Sequence, residues 1–429
     1  MIKLSTITIN DIDARGKLTH EPRWMRQARM KAWQDFQALE YPNWKKTKTP
    51  SIDLEKQLKL EFPSGETKPI RIEKKPPAGS SGKITLKDGR VWRVSLKPEL
   101  AYQGVIFCDM QTAVLERADL LEQYFKDSSW GIHDKLTALH KALWTNGYFL
   151  FIPKDLQVDE PFQVQVIQSR FSICDRNLVI LEPGSSVRLE EVFESDQKSN
   201  EVLVCANTTQ IISEEASRLD YRSTQNWGAH VADLSYRRMM AAQNAHIKSL
   251  FTLLGAKSGR TVVTGLSAAP GASIEHNGIL GGGDQQRFKI IAEMEHSGKN
   301  TEGMMKYKGI LKDKSYSYLD GCIRVGQDAS KAHSRLEEHT LLLSEKARCD
   351  ALPALDIKTD DVQVSHSASV RKADREKIFY LMSRGLSEEL ATNLLVQGFF
   401  EDLLEKAPSQ SWYESTKALI ESKLFETKI

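Results

Sequence analysis

The sequence predicts a mainly β core set between helical N-terminal and C-terminal parts, on three observations. From about residue 160 to about 370 apolar residues recur with period two, as in Phe162 to Ile167, Val187 to Phe193 and Phe288 to Met294. Turn signals such as Pro183-Gly184, Pro270-Gly271 and Gly281-Gly282-Gly283 separate these runs. On both sides of this region the apolar spacing is three and four residues, the period of a helix with one buried face. A chain of 429 residues has room for two or three domains at about 150 residues each.

Taken in order, Thr19 to Leu39 reads as a helix: Pro22 suits a first turn, and Met25, Ala28, Ala32, Phe36 and Leu39 share a face that Trp24 and Trp33 widen. Tyr41-Pro42-Asn43-Trp44 ends it, because proline disfavours helical backbone in the residue before it. These residues form an N-terminal helical region, 1–62. Residues 63–82, PSGETKPIRIEKKPPAGSSG, hold few large apolar side chains and are expected to be a flexible surface linker. Lys83 to Val94 is two alternating runs joined by Asp88-Gly89, a hairpin signal. Leu115 to Phe125 and His133 to Trp144 have helical spacing, and Asn146-Gly147 turns the chain into the apolar run Tyr148 to Ile152. Residues 83–159 are thus an α/β region leading into the core.

The core, 160–370, fits a sandwich or barrel as well as a solenoid whose rungs stack on their neighbours, and period alone does not choose. No strict repeat motif is visible. After Asp374 helical spacing returns, with Ala391, Leu394, Leu395, Phe399, Leu403 and Leu404 in one stripe and a last piece from Trp412 to Leu424. This C-terminal helical domain, 371–429, is too small for a generous core of its own, so one face is expected to meet the β region or another protein.

Composition narrows the function classes. Lys and Arg number 59 against 57 Asp and Glu, a net charge of +2, which argues against a nucleic-acid or membrane footprint. No apolar run approaches the roughly 20 residues of a membrane span. The start, Met1-Ile2-Lys3-Leu4-Ser5, has no apolar secretion signal, so a cytoplasmic location is expected. Cys108, Cys174, Cys205, Cys322 and Cys349 are dispersed and lack C-x-x-C spacing, which points to buried free thiols rather than disulfides or a local metal site.

Motifs for catalysis are missing. Gly255-Ala256-Lys257-Ser258-Gly259-Arg260-Thr261 lacks the spacing of a phosphate-binding loop, and Gly281 to Gly283 reads as a tight turn. In Glu275-His276, Glu295-His296 and Glu338-His339 adjacent strand residues face opposite sides, so neither pair member can assist the other. No nucleophile–base order or H-E-x-x-H spacing is present, and no catalytic residue is expected. His366 differs: alternation through Asp360 to Ser369 sets Val362, Val364 and His366 on one strand face, where the imidazole is either a hydrogen-bonded structural group or a ligand facing a partner.

The runs His366-Ser367-Ala368-Ser369, Ile378 to Glu388 and Leu394 to Phe399 resemble the SufB/SufD family of iron–sulfur cluster assembly proteins. Leu341 to Ala347, Tyr307-Lys308-Gly309 and Asp134 to Lys154 extend the resemblance over about residues 20 to 405. Glu21-Pro22-Arg23-Trp24-Met25 and Trp44-Lys45-Lys46-Thr47 are most similar to the SufD branch. The resemblance implies a right-handed parallel β-helix flanked by helical parts. It implies a scaffold subunit, not an enzyme, that pairs with SufB through the β-helix end, or with a second copy of itself in isolation, and docks the ATPase SufC on its C-terminal helices. It further implies a transient iron–sulfur cluster shared with SufB, with His366 matching an interface histidine that ligates metal. The segment containing Arg384, Gly385, Leu394, Leu395 and Phe399 matches the SufC-docking part. Val364 stands where a cysteine is common in the family, and Ser367 where glycine is common. The alternatives are a SufB-like catalytic scaffold, against which Val364 speaks, and a β-helix carbohydrate-active enzyme, which needs a carboxylate cluster on one solenoid face.

Overall fold

The computed structural model describes residues 4–41, 53–60, 71–73, 75–125, 134–196, 199–405 and 409–425. The chain opens with helices α1 (Ile9–Leu18), α2 (Arg23–Ala38) and α3 (Leu54–Gln57). Thr8 and Asp11 close a capping box on α1, and Pro22 is the N-cap of α2 rather than part of its first turn. The expected stop at Tyr41 to Trp44 lies mostly outside the described residues, as do 63–70 and 74 of the expected linker. The rest of that stretch is anchored: strand β1 (Arg71–Ile72) joins a sheet, Ser80 and Ser81 are buried, and the Ser81 hydroxyl donates to the Glu160 carbonyl at 2.8 Å.

Strands β2 (Gly82–Lys87) and β3 (Arg90–Leu96) form the antiparallel hairpin, with Asp88 at φ 50° and Gly89 at φ 72° in its turn. Then follow α4 (Pro98–Tyr102), β4 (Ile106–Asp109), α5 (Met110–Glu116), α6 (Ala118–Phe125), α7 (Lys135–Leu143) and β5 (Tyr148–Ile152).

Fifteen strands come next, alternating between two sheets. They are β6 (Phe162–Gln168), β7 (Ile173–Leu181), β8 (Ser186–Ser195), β9 (Leu203–Ser213) and β10 (Arg218–Asn226). After them run β11 (Val231–Ala241), β12 (His246–Leu253), β13 (Ser258–Ser267), β14 (Ser273–Gly282) and β15 (Arg287–His296). The last five are β16 (Glu302–Leu311), β17 (Tyr316–Val325), β18 (Ala332–Leu342), β19 (Arg348–Ile357) and β20 (Val362–Lys372). Each pairs in parallel with the strand two elements away, so the even strands complete an 11-stranded sheet and the odd strands a 9-stranded one. This is a parallel β-solenoid of about eight turns, which decides between the architectures that period two left open.

One corner of the solenoid shows why the rungs stack. Asp155, Gly184, Ala216, Asn244, Gly271, Asn300 and Lys331 all hold positive φ, and they recur roughly every 29 residues, inside the period range of solenoids. Each backbone N–H donates to the carbonyl just before the next: Asp155 to Pro183, Gly184 to Glu215, Ala216 to Gln243, and so on to Lys331 and Asp361. The left-handed residue turns its amide along the solenoid axis, where the neighbouring turn satisfies it.

Three apolar clusters hold the molecule together. The first fills the solenoid interior with Phe162, Phe193, Phe251 and Phe288 among others. Several polar groups there are paired: both oxygens of buried Glu191 accept from the hydroxyls of Tyr148 and Tyr221, and Arg237 donates to Tyr221 and Ser223. In the second, the N-terminal helices cover the outer face of the early strands of the 9-stranded sheet, β4 to β11, so every residue of β9 is buried. Arg29, paired with Glu21 at 2.8 Å, donates to the carbonyls of Ala142 and Trp144, and Arg15 to those of Leu143 and Trp144. Two guanidiniums thereby satisfy carbonyls that the end of α7 leaves without helical partners.

The third cluster seats α9 (Glu388–Leu404) and α10 (Gln410–Phe425) on Leu250, Ile279, Ile310 and Leu341 of the 11-stranded sheet. Asp402 clamps this contact, 2.6 Å from both Lys306 and Lys308. The C-terminal unit, too small to stand alone, uses the β region as its second layer. Helix α8 (Arg375–Ser383), between β20 and α9, has no buried residue.

Candidate functional site

The last turn of the solenoid is uncovered among the described residues. Strands β19 and β20 are the terminal strands of their sheets, each paired on one side only. In the turn beneath, the inward residues Ala332, Ser334, Leu336, Glu338 and Thr340 are all buried. Their partners in β20 are Val362, Val364, His366, Ala368 and Val370, which are half-buried or exposed. On β19 the inward Leu355 and Ile357 lie over buried Ile323 and Val325, yet are 37% and 41% exposed. The interior is thus cut open between rungs.

His366 sits on this open face. Alternation holds as expected: Val362 and Val364 pack on the interior cluster, and His366, the partner of buried Leu336, continues their face into solvent. Further along β20, an open groove of about 620 Å³ between β19 and β20 is lined by Cys349, Ala351, Leu352, Ala368 and Val370 among others.

Two inward groups in the last rungs stand out beyond the role that the sequence reading gave them. Glu338 is 1% exposed, and neither carboxylate oxygen has a hydrogen-bond partner among the described residues. Burial, with a smaller contribution from Asp320, pushes its carboxyl up to about 8. Gly321 on the facing strand makes the room: a Cβ there would lie 2.3 Å from Glu338 Oε1. Cys349 faces inward with its Sγ 3.3 Å from Thr340 Oγ1, and burial holds its thiol above the ordinary range. The available signal for Glu338 was its place between Leu336 and Thr340 on the inward side of a period-two run.

The histidines of the three Glu-His pairs, His276, His296 and His339, lie away from His366 or on the outward face. His276 bonds Tyr307 Oη at 3.0 Å and the Glu293 carbonyl at 3.1 Å, and His339 meets Ser369 Oγ at 2.8 Å on the outward face. His296 meets Thr301 Oγ1 at 2.8 Å. Among the described residues no three His, Cys, Asp or Glu side chains converge to hold a metal ion. His366, Glu338 and Cys349 are potential ligands on three different strands at one end, and a complete coordination sphere there needs donors from elsewhere.

The residues of the C-terminal segment divide into two groups. Arg384 is exposed at the C-cap of α8, its Nη2 3.2 Å from Tyr380 Oη, and Gly385 holds φ 96° in open space. Leu394 is exposed as well. Leu395 and Phe399 instead pack into the third cluster, and Lys308 Nζ lies 5.0 Å from the Phe399 ring centroid. Phe379 and Tyr380 on α8 are 71% and 57% exposed, and Leu390 on α9 is exposed too.

Together these features define a β-solenoid protein with helices on both outer sheet faces and one bare end. Comparison with known proteins supplies the family. The profile described as SUF system FeS cluster assembly, SufBD core domain, matches residues 165–399, and that of the SufBD protein N-terminal region matches residues 14–164. The iron–sulfur cluster assembly protein SufD of Bacillus subtilis is 31% identical over 420 residues, covering 94% of this chain and 95% of that protein. An iron–sulfur cluster assembly SufBD family protein of Staphylococcus saprophyticus is 28% identical, covering 96% of this chain and 92% of its own length. The chain belongs to the SufBD family of SUF-system iron–sulfur cluster assembly proteins. No helix among the described residues is long and apolar enough to cross a membrane.

Proposed function

We propose that this chain is the SufD-type scaffold subunit of a cytoplasmic iron–sulfur assembly complex. Through the bare end of its solenoid it pairs with SufB, and on its C-terminal helices it docks the ATPase SufC. The observation that carries the reading is the uncovered last turn, where unpaired edges of β19 and β20 meet half-exposed Leu352, Leu355, Ile357 and Val370. Free edges with apolar neighbours are a liability in a lone molecule and a ready surface for another stack of strands.

At that junction the nascent cluster is cargo. His366 supplies one ligand from this side, and SufB completes the sphere. Imidazole suits iron without the grip of a full thiolate set, in keeping with release to a recipient. The exposed aromatic face of α8, with Arg384 and Leu394 beside it, takes SufC, which hydrolyses ATP; the part played by this chain is non-catalytic. The similarity to the relative named SufD supports the subunit assignment.

The test is anaerobic copurification of the tagged full chain coexpressed with SufB and SufC. Recovery of both partners is the expected result. Recovery of neither overturns the reading, and recovery of SufC without SufB overturns its interface half.

A further inference from the structure

Helix α8 buries none of its residues, yet one side of it is anchored: Ile378 and Leu381, three residues apart, are half-buried, and the helix contacts α9. Its other sides carry Phe379, Tyr380 and Met382, all exposed. The stretch from Arg371 to Arg384 holds five basic residues against two acidic ones, in a chain whose net charge is only +2. Arg371, Lys372, Arg375, Lys377 and Arg384 are all exposed, and none forms an ion pair among the described residues. Of the two carboxylates, Asp374 is occupied as the N-cap of α8, accepting from the backbone N–H groups of Glu376 and Lys377 at 3.0 and 3.2 Å.

Arg384 is held in place. Its Nη2 donates to Tyr380 Oη at 3.2 Å, and its guanidinium lies 5.3 Å from that ring centroid. With the phenol oxygen accepting from arginine, the phenol hydrogen is left to donate outward. The pair therefore presents hydrogen-bond donors and a positive charge, and a carboxylate, which only accepts, is the complementary group. Lys377, three residues before Tyr380, stands on the same side of the helix.

We propose that the Arg384–Tyr380 pair receives a carboxylate on the docked ATPase, with Phe379 as the apolar anchor and Tyr380 as a positioning residue for the guanidinium. The inference rests on reading the C-terminal helices as the dock for SufC, and adds the chemistry of the surface that fits there: an apolar groove with an acidic rim. A guanidinium already fixed by its neighbour loses less rotamer freedom on binding than a free one.

The experiment is a calorimetric titration of the full-length chain with purified SufC at low and high salt. Wild type is expected to bind more weakly at high salt, and Arg384→Gln to lose at least about tenfold in affinity together with much of that salt dependence. Phe379→Ala should lose at least about tenfold with the salt dependence kept. Tyr380→Phe, which keeps the ring and removes the hydroxyl, should weaken binding about threefold in the wild-type background and not at all when Arg384 is replaced by Gln. Arg348→Gln, which removes an exposed cation on β19, should bind as wild type does. Circular dichroism of each variant checks folding. Wild-type affinity in Arg384→Gln, a loss in Tyr380→Phe that persists without Arg384, or an equal loss in Arg348→Gln overturns the proposal while leaving SufC docking intact. Cosedimentation of the chain with phosphatidylserine vesicles that Phe379→Ala abolishes overturns it too, by assigning the face to lipid. A wild-type chain that binds no SufC overturns the docking reading as well, so the two failures are told apart.

Discussion

Leu336 and His366 are register partners on the last two strands of the 11-stranded sheet, the one fully buried and the other exposed. The interior column of side chains that begins far upstream ends at this step, and the imidazole is the polar group standing on it. Because His366 carries none of the interior packing, His366→Ala is expected to leave the stability within about 0.5 kcal/mol of wild type. SufC capture should be unchanged, while cluster yield in the SufB-containing complex falls at least about tenfold. Anaerobic reconstitution followed by iron and sulfide analysis measures it; equal yield returns His366 to a structural role.

The helical ends, the hairpin at Asp88-Gly89 and the inward face of Val362, Val364 and His366 were all legible, because each follows from local periodicity or turn chemistry. The solenoid was not, for a reason visible at its corners. The left-handed residue that defines each turn is Asp, Gly, Ala, Asn or Lys in different rungs, so backbone geometry repeats where residue type does not. The resemblance to the family supplied what the pattern withheld. Gly281 and Gly282 misled in the opposite sense: they end β14 as strand residues, and a Cβ on Gly282 would meet Leu311 at 2.7 Å. Glu338 and Cys349 were given no functional role because a polar residue on an inward face announces nothing until its neighbours across the rungs are known.

Stability should fall as pH rises across the range set by Glu338. Its carboxyl titrates near 4.3 in the unfolded chain and is pushed up to about 8 in the fold, so between these values the native state holds a proton that the unfolded state has lost. Wild type should therefore lose stability relative to Glu338→Gln between pH 5 and pH 8, on the order of 3 kcal/mol. Urea denaturation of both proteins across that range is the check. Parallel curves would mean that the carboxyl is ionised in the fold.

Arg29→Met should be among the most damaging single changes. It strands the nearly buried Glu21 carboxylate, frees the carbonyls of Ala142 and Trp144, and removes a guanidinium 3.7 Å from the Trp144 ring centroid. The expected loss is about 3–5 kcal/mol. Replacing Glu21 as well, with Leu, should recover part of it, since the orphaned charge disappears. Additive losses in the double variant would contradict this origin.

Gly147 cannot accept a side chain. Its φ is 140°, and a Cβ would sit 2.0 Å from the carbonyl oxygen of Arg176, a backbone atom of β7. Gly147→Ala is expected to cost at least about 3 kcal/mol in denaturant melts, whereas Gly398→Ala, on α9 with open space around it, should be neutral or mildly stabilising.

The account stands or falls on what covers the terminal turn. Hydrogen exchange of the full chain, read by mass spectrometry with and without SufB, tests this most directly. Strong new protection of Arg348–Ile357 and Val362–Lys372, with little change in the earlier rungs, is the predicted result. Binding of SufB that leaves both strands exchanging as in the free chain would contradict it.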